Sequence, residues 1–307
     1  MARNIWGDKE TQYFYELTPD RILNAIESHL DGVVCTGLIM PLNSMENRVY
    51  EIEVEPRQFE PGQKRSRYIA KFYRPGRWSK DQILEEHEFL QDLADNEIPV
   101  IQPLQFKDGD TLQKMPDGDI WFTLFPKYNG RMPDELNLEQ LEQVGRLLAR
   151  MHSVGALKKV KHRLQINPET FGFNNLEFIL QSGRLPKDLA QTYSSTAQNL
   201  LQTISPLFQN LKTQRIHGDC HFGNLLHGKD GYFWVDFDDM LDGPPIQDIW
   251  LLTPQRDEEG QEKLQALLAG YEMMRDFDRS ALRLIEPLRS LRLIHFTAWI
   301  AKRWTDP

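Results

Sequence analysis

Residues 216–240, which read IHGDCHFGNLLHGKDGYFWVDFDDM, place polar side chains at regular offsets inside an apolar frame. The frame consists of two β-type runs, Asn-Leu-Leu-His and Tyr-Phe-Trp-Val, separated by Gly-Lys-Asp-Gly. An Asp-Gly pair between apolar runs predicts a hairpin, because glycine reaches positive φ without a Cβ clash. A hairpin brings its two ends together. We therefore expect Asp219, Asn224 and Asp236 to converge on one point.

Two carboxylates and one carboxamide oxygen suit Mg²⁺, which takes few protein ligands and keeps water or substrate phosphates for the rest. The spacing of His217, Asp219 and Asn224, followed by an Asp after the next hairpin, also matches the catalytic loop and the metal-binding Asp of kinases. An isolated Asp-x-x-x-x-Asn is common, whereas the full pattern is far rarer. His-Gly-Asp and Asp-Phe-Asp, which stand where protein kinases have His-Arg-Asp and Asp-Phe-Gly, resemble the aminoglycoside phosphotransferase and choline kinase branch of the protein-kinase-like fold.

That resemblance implies an α+β fold of two lobes, an N-terminal antiparallel sheet lobe and a mainly helical C-terminal lobe. The length agrees, because 307 residues can bury one large core or two modest ones. We predict a nucleotide-binding lobe over residues 1–126 and a catalytic and substrate lobe over residues 127–307.

Composition and the distribution of apolar residues limit the classes of partner and the cellular compartment that fit this chain. The formal net charge of −9 argues against a general nucleic-acid binder, which would normally carry a basic face. The N-terminus lacks the apolar core of a signal peptide, and the longest mostly apolar stretch, 293–301, is too short to span a bilayer. Cys35 and Cys220 do not look like a disulfide framework. We expect a cytoplasmic monomer with no nucleic-acid or membrane partner.

In the first lobe, Lys71 lies at the centre of an apolar strand predicted over 67–73. A buried lysine needs a partner, and a kinase offers two, the ATP phosphates and a helix carboxylate. The next helix, 79–93, carries three glutamates, of which Glu86 fits best by the spacing of the phosphotransferase family. The alternative is that Lys71 snorkels from an edge strand and the glutamates form a solvated face.

The loop that precedes the strand at 51–54 would cover the ATP phosphates in such a lobe. It is not rich in glycine; Asn43, Ser44, Glu46 and Asn47 occupy it instead. Backbone amides and the Ser44 hydroxyl could hold a phosphate, but an ordinary hairpin turn explains these residues equally well.

The second lobe is predicted to open with a helix capped by Asn137, with Gln140 placed for a capping box. Residues 160–212 are polar and poorly periodic, and a helix is predicted there over 189–211. Asp248, in Gly-Pro-Pro-Ile-Gln-Asp, resembles the Asp of the phosphotransferase family's Gly-Pro-x-x-Asp segment, and the resemblance implies that it braces the catalytic loop through buried hydrogen bonds. Cys220 could be a redox switch, although a buried small residue is the favoured interpretation.

A final helix is predicted over 279–304, with basic side chains among its Leu, Ile and Trp residues. They could line a site for an acidic or phosphorylated partner, but a solvated helix face is the favoured interpretation. These residues are Arg289, Arg292, His295, Lys302 and Arg303.

Several segments are more specific than the general fold and are similar to the bacterial stress response kinase A family. They are LNSMENRVY (42–50), KFYRP (71–75), Trp78 with the segments at 81–83 and 85–87, and IEPLR (285–289). The resemblance implies a cytoplasmic serine/threonine protein kinase of the stress response, with ATP as co-substrate and Mg²⁺ as cofactor. Its protein substrates could include the chain itself, which would make it a phosphoprotein.

Carried over by position, the resemblance makes Asp219 the proton acceptor and makes Asn224 and Asp236 the Mg²⁺ ligands, so that Asp236 also serves catalysis. It makes Ser44 an ATP contact and raises that interpretation above the ordinary turn. Two alternatives remain. One is a kinase of small molecules such as amino alcohols, sugars or aminoglycosides, and the other is a pseudokinase-like module that senses nucleotide without catalysis.

Overall fold

The computed structural model describes residues 14, 17–58, 60, 62–116 and 118–304. Contacts divide the chain into two compact units: the first holds the described residues up to 94 together with 100–129, and the second holds 95–99 and 130–304. The first unit thus extends slightly past residue 126, the predicted lobe boundary. None of the described helices has the length and apolarity needed to cross a membrane. The N-terminal segment used in the signal-peptide argument lies outside the described residues.

An antiparallel sheet of five strands, in the order β1-β2-β3-β5-β4, forms the frame of the first unit. Its strands are β1 (Val33–Leu42), β2 (Arg48–Pro56), β3 (Ser66–Phe72), β4 (Gln113–Lys114) and β5 (Trp121–Pro126). Two helices accompany it, α1 (Pro19–His29) and α2 (Lys80–Asp95). One face of α1 buries Ile22 and Ile26 in the same cluster as Ile52, Phe72 and Phe122. The apolar face of an amphipathic helix therefore covers the sheet.

The register of this sheet decides between the two interpretations of Lys71. Lys71 lies opposite Val49 of β2 and opposite Thr123 of β5. Because β3 has a neighbouring strand on each side, it is an interior strand. The edge-strand alternative for Lys71 is therefore wrong.

The second unit is mainly helical. Its helices are α3 (Leu138–Gly155), α4 (Asn174–Gln181), α5 (Lys187–Ile204), α6 (Ile246–Leu252), α7 (Glu258–Glu272) and α8 (Ile285–Lys302). Its short strands form two ribbons: β6 (Gln214–Ile216) with β9 (Leu241–Gly243), and β7 (Leu225–Gly228) with β8 (Gly231–Trp234). Asn137 caps α3, and Gln140 completes the capping box as predicted.

The ribbon of β7 and β8 is the hairpin that the Asp-Gly signal predicted. Each strand is shifted by one residue from its expected bounds, so that Gly228 and Gly231 pair across the turn. Gly231 has φ +111°, a conformation that L side chains rarely adopt. The glycine after Asp230 thus supplies the turn, as expected.

The segment 160–212 has more structure than its weak periodicity predicted. A π-helical turn (Pro168–Phe173) runs into α4, and α5 begins and ends earlier than the predicted helix. The apolar residues of α4 and α5 share a core with Leu291, Ile294 and Ala298 of α8. A contact with a helix about a hundred residues later along the chain, absent from any local pattern, stabilises this segment.

Glycines let α3 and α7 approach closely. A Cβ added to Gly145 would lie 2.1 Å from the Leu267 carbonyl oxygen, and one added to Gly270 would lie 2.0 Å from the Glu142 carbonyl oxygen. Both contacts are with backbone, which cannot rotate away.

We therefore expect Gly145→Ala to lower the free energy of unfolding by about 1–3 kcal/mol or more, because the two helices must separate. Urea unfolding would measure this loss. The control is Gln143→Ala, an exposed position of the same helix, where little change is expected. Equal stability of the Gly145→Ala and Gln143→Ala variants would contradict the close-approach argument.

Candidate active site

Asp248, near the start of α6, fixes the loop that follows β6. Its side chain is fully buried. One oxygen accepts the N–H of His217 at 2.9 Å, and the other accepts the N–H of Gly218 at 2.8 Å. The ring of His152 lies 3.0 Å from the same carboxylate. The predicted brace is confirmed, and His152 is a buried structural residue.

Gly218 meets a steric requirement in the same loop. Its φ is +87°, and an added Cβ would lie 2.3 Å from the carbonyl oxygen of Asp239. A side chain here would displace the backbone on which Asp219 is placed.

His217 joins this loop to the segment after the hairpin. Its Nε2 donates to the carbonyl oxygen of Val235 at 3.0 Å, and its Nδ1 accepts the N–H of Asp219 at 3.3 Å. These two bonds assign the proton to Nε2. The ring also packs against Phe237 at a centroid distance of 4.5 Å. One imidazole therefore fixes the backbone on both sides of the hairpin.

Asn224 connects Asp219 to the residue that precedes Asp236 through two hydrogen bonds. Its side-chain amide donates to the backbone oxygen of Asp219 at 3.0 Å. The backbone carbonyl oxygen of Asn224 accepts the N–H of Val235 at 3.0 Å. The side-chain NH₂ is thereby oriented, which leaves the side-chain oxygen Oδ1 as the group that could face a cation.

Asp236 has φ 60° and ψ 65°, in the left-handed region. This conformation costs a non-glycine residue free energy, and residues that adopt it cluster at functional sites. The carboxylate follows Val235, which is held by both His217 and Asn224.

The donor set fits a small hard cation. Carboxylate oxygens of Asp219 and Asp236 and the amide oxygen of Asn224 are the ligand types that Mg²⁺ prefers. Within the described part of the chain, no group of three or more His, Cys, Asp and Glu side chains is arranged to hold a metal ion. A cation here would therefore be held by few protein ligands, Asp236 and Asn224, together with non-protein oxygens.

Asp219 is held by two side chains. Arg292 Nη2 of α8 donates to its Oδ1 at 2.8 Å, and His221 Nε2 lies 3.3 Å from its Oδ2. Burial acts to raise the pKa of Asp219, but the hydrogen bond from His221 and the charge of Arg292 outweigh it and hold the pKa well below its usual range. The carboxylate is therefore ionised at neutral pH.

The solvated-face interpretation of α8 is wrong for Arg289 and His295 and incomplete for Arg292, whose side chain is 41% exposed. Arg289 donates to the carbonyl oxygen of Pro254 and covers the ring of Trp250 at 5.1 Å. His295 stacks on Phe171 at a centroid distance of 4.4 Å, and Arg292 binds Asp219. Sequence reasoning did not assign Arg292 to the site. No local signal marks it, because its partner Asp219 lies 73 positions away in the chain.

In the first unit, the predicted lysine and glutamate are paired. Lys71 Nζ lies 3.2 Å from Glu86 Oε1, and both side chains are buried. Lys71 Nζ also lies 4.7 Å from the centre of the Tyr73 ring. Such a pair positions an ammonium group without leaving it uncompensated.

The 43–47 loop is held by Arg74, a residue that sequence reasoning missed. Arg74 Nε donates to the Glu46 carbonyl oxygen at 3.0 Å, and the Arg74 N–H donates to Asn47 Oδ1 at 3.1 Å. The Ser44 hydroxyl accepts the N–H of Asn47 at 3.3 Å. The loop therefore has a defined conformation, and the role of Ser44 as an ATP contact stays a prediction.

Cys220, next to Asp219, is fully buried. Burial and the nearby carboxylates raise the pKa of its thiol well above the ordinary value. A reactive cysteine needs the opposite environment, so the interpretation as a buried small residue is supported.

Known proteins resemble this chain in sequence and in structure. The model of the phosphotransferase enzyme family matches residues 39–285. The chain is 36% identical over 295 residues to stress response kinase A of Escherichia coli (strain K12), an alignment that covers 96% of this chain and 86% of the relative. This chain belongs to the stress response kinase A family of phosphotransferases.

Members of the stress response kinase A family include proteins with another name. The serine/threonine protein kinase RdoA of Salmonella typhimurium is also 36% identical over 295 residues, with the same 96% and 86% coverage. Among solved structures, the amicoumacin kinase hAmiN in complex with AMP-PNP, Ca²⁺ and Ami has a TM-score of 0.77 at 21% identity. That alignment covers 96% of this chain and 89% of the other.

Membership of the stress response kinase A family confirms the predicted class of enzyme, a transferase that phosphorylates a hydroxyl acceptor. The predicted α+β, protein-kinase-like fold is confirmed as well. The pseudokinase-like alternative loses its support.

Proposed function

We propose that this member of the family is a serine/threonine protein kinase that uses ATP and Mg²⁺. The observation that carries the proposal is the ionised Asp219 carboxylate, fixed on a loop whose backbone is tied to Asn224 and to the segment before Asp236. A kinase needs this set: a base for the acceptor hydroxyl and oxygen ligands for the metal.

In the proposed reaction, Asp219 orients the acceptor hydroxyl and accepts its proton as the new oxygen–phosphorus bond forms. The bond between the γ-phosphorus and its bridging oxygen breaks, and ADP leaves. Asn224 and Asp236 would hold Mg²⁺. When bound, the cation neutralises charge on the transferred phosphoryl group. Positioning and electrostatics supply most of the catalysis.

Lys71 is proposed to bind the ATP phosphates, with Glu86 holding its ammonium group in place. Ser44, on the ordered 43–47 loop, is proposed as a further phosphate contact. The buried Lys71–Glu86 pair supports the first assignment, because an ammonium group is placed at a fixed position of an interior strand.

Lys71→Met is expected to lower kcat/KM for ATP about a hundredfold, which equals about 2.7 kcal/mol of lost transition-state stabilisation. Steady-state kinetics at varied ATP concentration would measure it. Lys127→Met is the matched control, since Lys127 pairs with Glu51 on the same sheet at 2.7 Å. A loss as large in the control would show that Lys71 acts through stability of the sheet and not through ATP.

The acceptor hydroxyl could belong to a protein or to a small molecule, and we propose a protein. The name of the RdoA relative, a serine/threonine protein kinase, supports a protein hydroxyl, the chain's own included. A small-molecule acceptor is the second candidate, favoured by the structural likeness to a kinase named for amicoumacin. A cytoplasmic, monomeric state stays a prediction.

An acceptor panel tests this choice. The purified protein is incubated with γ-labelled ATP and Mg²⁺ alone, with a generic basic protein, with a generic acidic protein, and with amino alcohols and aminoglycosides. We expect label on protein serine or threonine. Label confined to a small molecule would keep the catalytic assignments and overturn the protein substrate.

A further inference from the structure

We propose that Arg292 selects acceptors that carry an acidic group beside the hydroxyl to be phosphorylated. The inference rests on the proposed function and deepens it, because it assigns a chemical class to the protein substrate: serine or threonine flanked by aspartate or glutamate.

Arg292 lies directly beside the proposed base. Its guanidinium contacts the carboxylate proposed to receive the acceptor's proton, at 2.8 Å. Any hydroxyl that hydrogen-bonds to Asp219 must therefore bring its neighbouring atoms close to Arg292. The contact lies within the second unit and joins residues 73 positions apart in the chain.

Arg292 has hydrogen-bond donors beyond the one that binds Asp219. A guanidinium has five N–H donors, and among the described residues Asp219 is its partner. The side chain of Arg292 is 41% exposed, against 22% for Asp219. Asp219 accepts from Nη2, so the other donors of this partly exposed side chain can bind a carboxylate, which arginine holds through paired hydrogen bonds.

The segment of α8 that carries Arg292 is fixed by its neighbours. Arg289, one turn earlier, is held by Pro254 and Trp250, and His295 stacks on Phe171. Leu291 and Ile294, on either side of Arg292, are buried in the core shared with α4 and α5. The Arg292 backbone is thus held on a rigid element, as a recognition residue requires.

The charge of Arg292 also acts against other acceptors. Amino alcohols, aminoglycosides and lysine-rich peptides bring a cation next to their hydroxyl, and a like charge at this distance is unfavourable. Specificity would thus come from attraction of one class and repulsion of the other.

The test compares two synthetic peptides of equal length, each with one serine, flanked by glutamates in one and by lysines in the other. For the wild-type protein we expect kcat/KM to favour the glutamate peptide by about tenfold or more, the scale of one charged hydrogen bond. In Arg292→Gln the preference should disappear, and in Arg292→Glu it should reverse. Arg292→Lys should keep part of it.

The ratio between the peptides is the decisive measurement, because a variant that merely folds less well loses activity on both equally. Arg279→Glu is the matched control: Arg279 pairs with Glu272 at 2.8 Å, is half exposed, and should leave the ratio unchanged.

Three results would overturn the inference. Equal use of both peptides by the wild-type protein would overturn the inference about Arg292 and leave the proposed function intact. A rise in activity of Arg292→Gln on both peptides equally would show that Arg292 only blocks the base. Phosphorylation of an amino alcohol with neither peptide labelled would overturn the proposed protein substrate together with this inference.

Discussion

Asp219→Ala is expected to lower turnover by about a hundredfold to ten-thousandfold, the range typical of a lost general base. Asp219 carries the only carboxylate oxygens that we place on the acceptor hydroxyl, and the pKa held low by His221 and Arg292 keeps it ionised. Nucleotide affinity should change little, because no nucleotide contact is assigned to it. Initial-rate kinetics with γ-labelled ATP, together with a nucleotide-binding titration, would measure both quantities.

The Asp219→Ala variant should remain folded, since its partners Arg292 and His221 are both well exposed and can be solvated. Asp230→Ala is the control: Asp230 lies in the hairpin turn, 80% exposed, and should keep wild-type turnover. Near-wild-type turnover in Asp219→Ala would exclude it as the base.

Asp248→Ala is expected to have the largest effect on stability. The substitution leaves the N–H groups of His217 and Gly218 and the His152 ring without their acceptor, in a fully buried place. Each of these three unsatisfied buried groups costs about 1–3 kcal/mol, so we expect the free energy of unfolding to fall by about 3–9 kcal/mol. Denaturant titration would measure it. Turnover should fall too, because the loop that bears Asp219 loses its brace.

Two further variants separate this brace from a general effect. Asp257→Ala removes a single cap, the acceptor of the Gly260 N–H at 2.9 Å, and should cost only about 1 kcal/mol. Asp248→Asn keeps one acceptor oxygen, so its loss in the free energy of unfolding should lie between those of Asp248→Ala and Asp257→Ala. A loss in Asp248→Ala no greater than that in Asp257→Ala would contradict the bracing role.

The parts of the site that the sequence predicted are those encoded by short spacings. The turn glycine at Gly231 specifies the hairpin, and the offsets of Asp219, Asn224 and Asp236 follow from it. Asp248 was predicted because its segment resembles the Gly-Pro-x-x-Asp segment of the phosphotransferase family, and a buried carboxylate needs hydrogen-bond partners. The pairing of Lys71 was expected because an unpaired lysine inside a sheet is too costly.

The parts that were missed depend on contacts between distant segments. Arg292 reaches Asp219 across 73 positions, and nothing in the local pattern of α8 distinguishes it from a solvated arginine. Arg74 was likewise unpredictable, because it holds a loop 28 positions earlier. In 160–212 one helix was predicted with shifted bounds, and the rest could not be predicted, since its periodicity is weak and its core is completed by α8.

The central claim is transfer of the γ-phosphoryl group of ATP to a hydroxyl by this loop with Mg²⁺. The most direct measurement is incubation with γ-labelled ATP, with and without Mg²⁺, followed by phosphoamino acid analysis of the labelled protein. The account predicts phosphoserine or phosphothreonine that depends on Mg²⁺ and on Asp219. Label on serine or threonine that persists after chelation of divalent cations, or in Asp219→Ala, would contradict it.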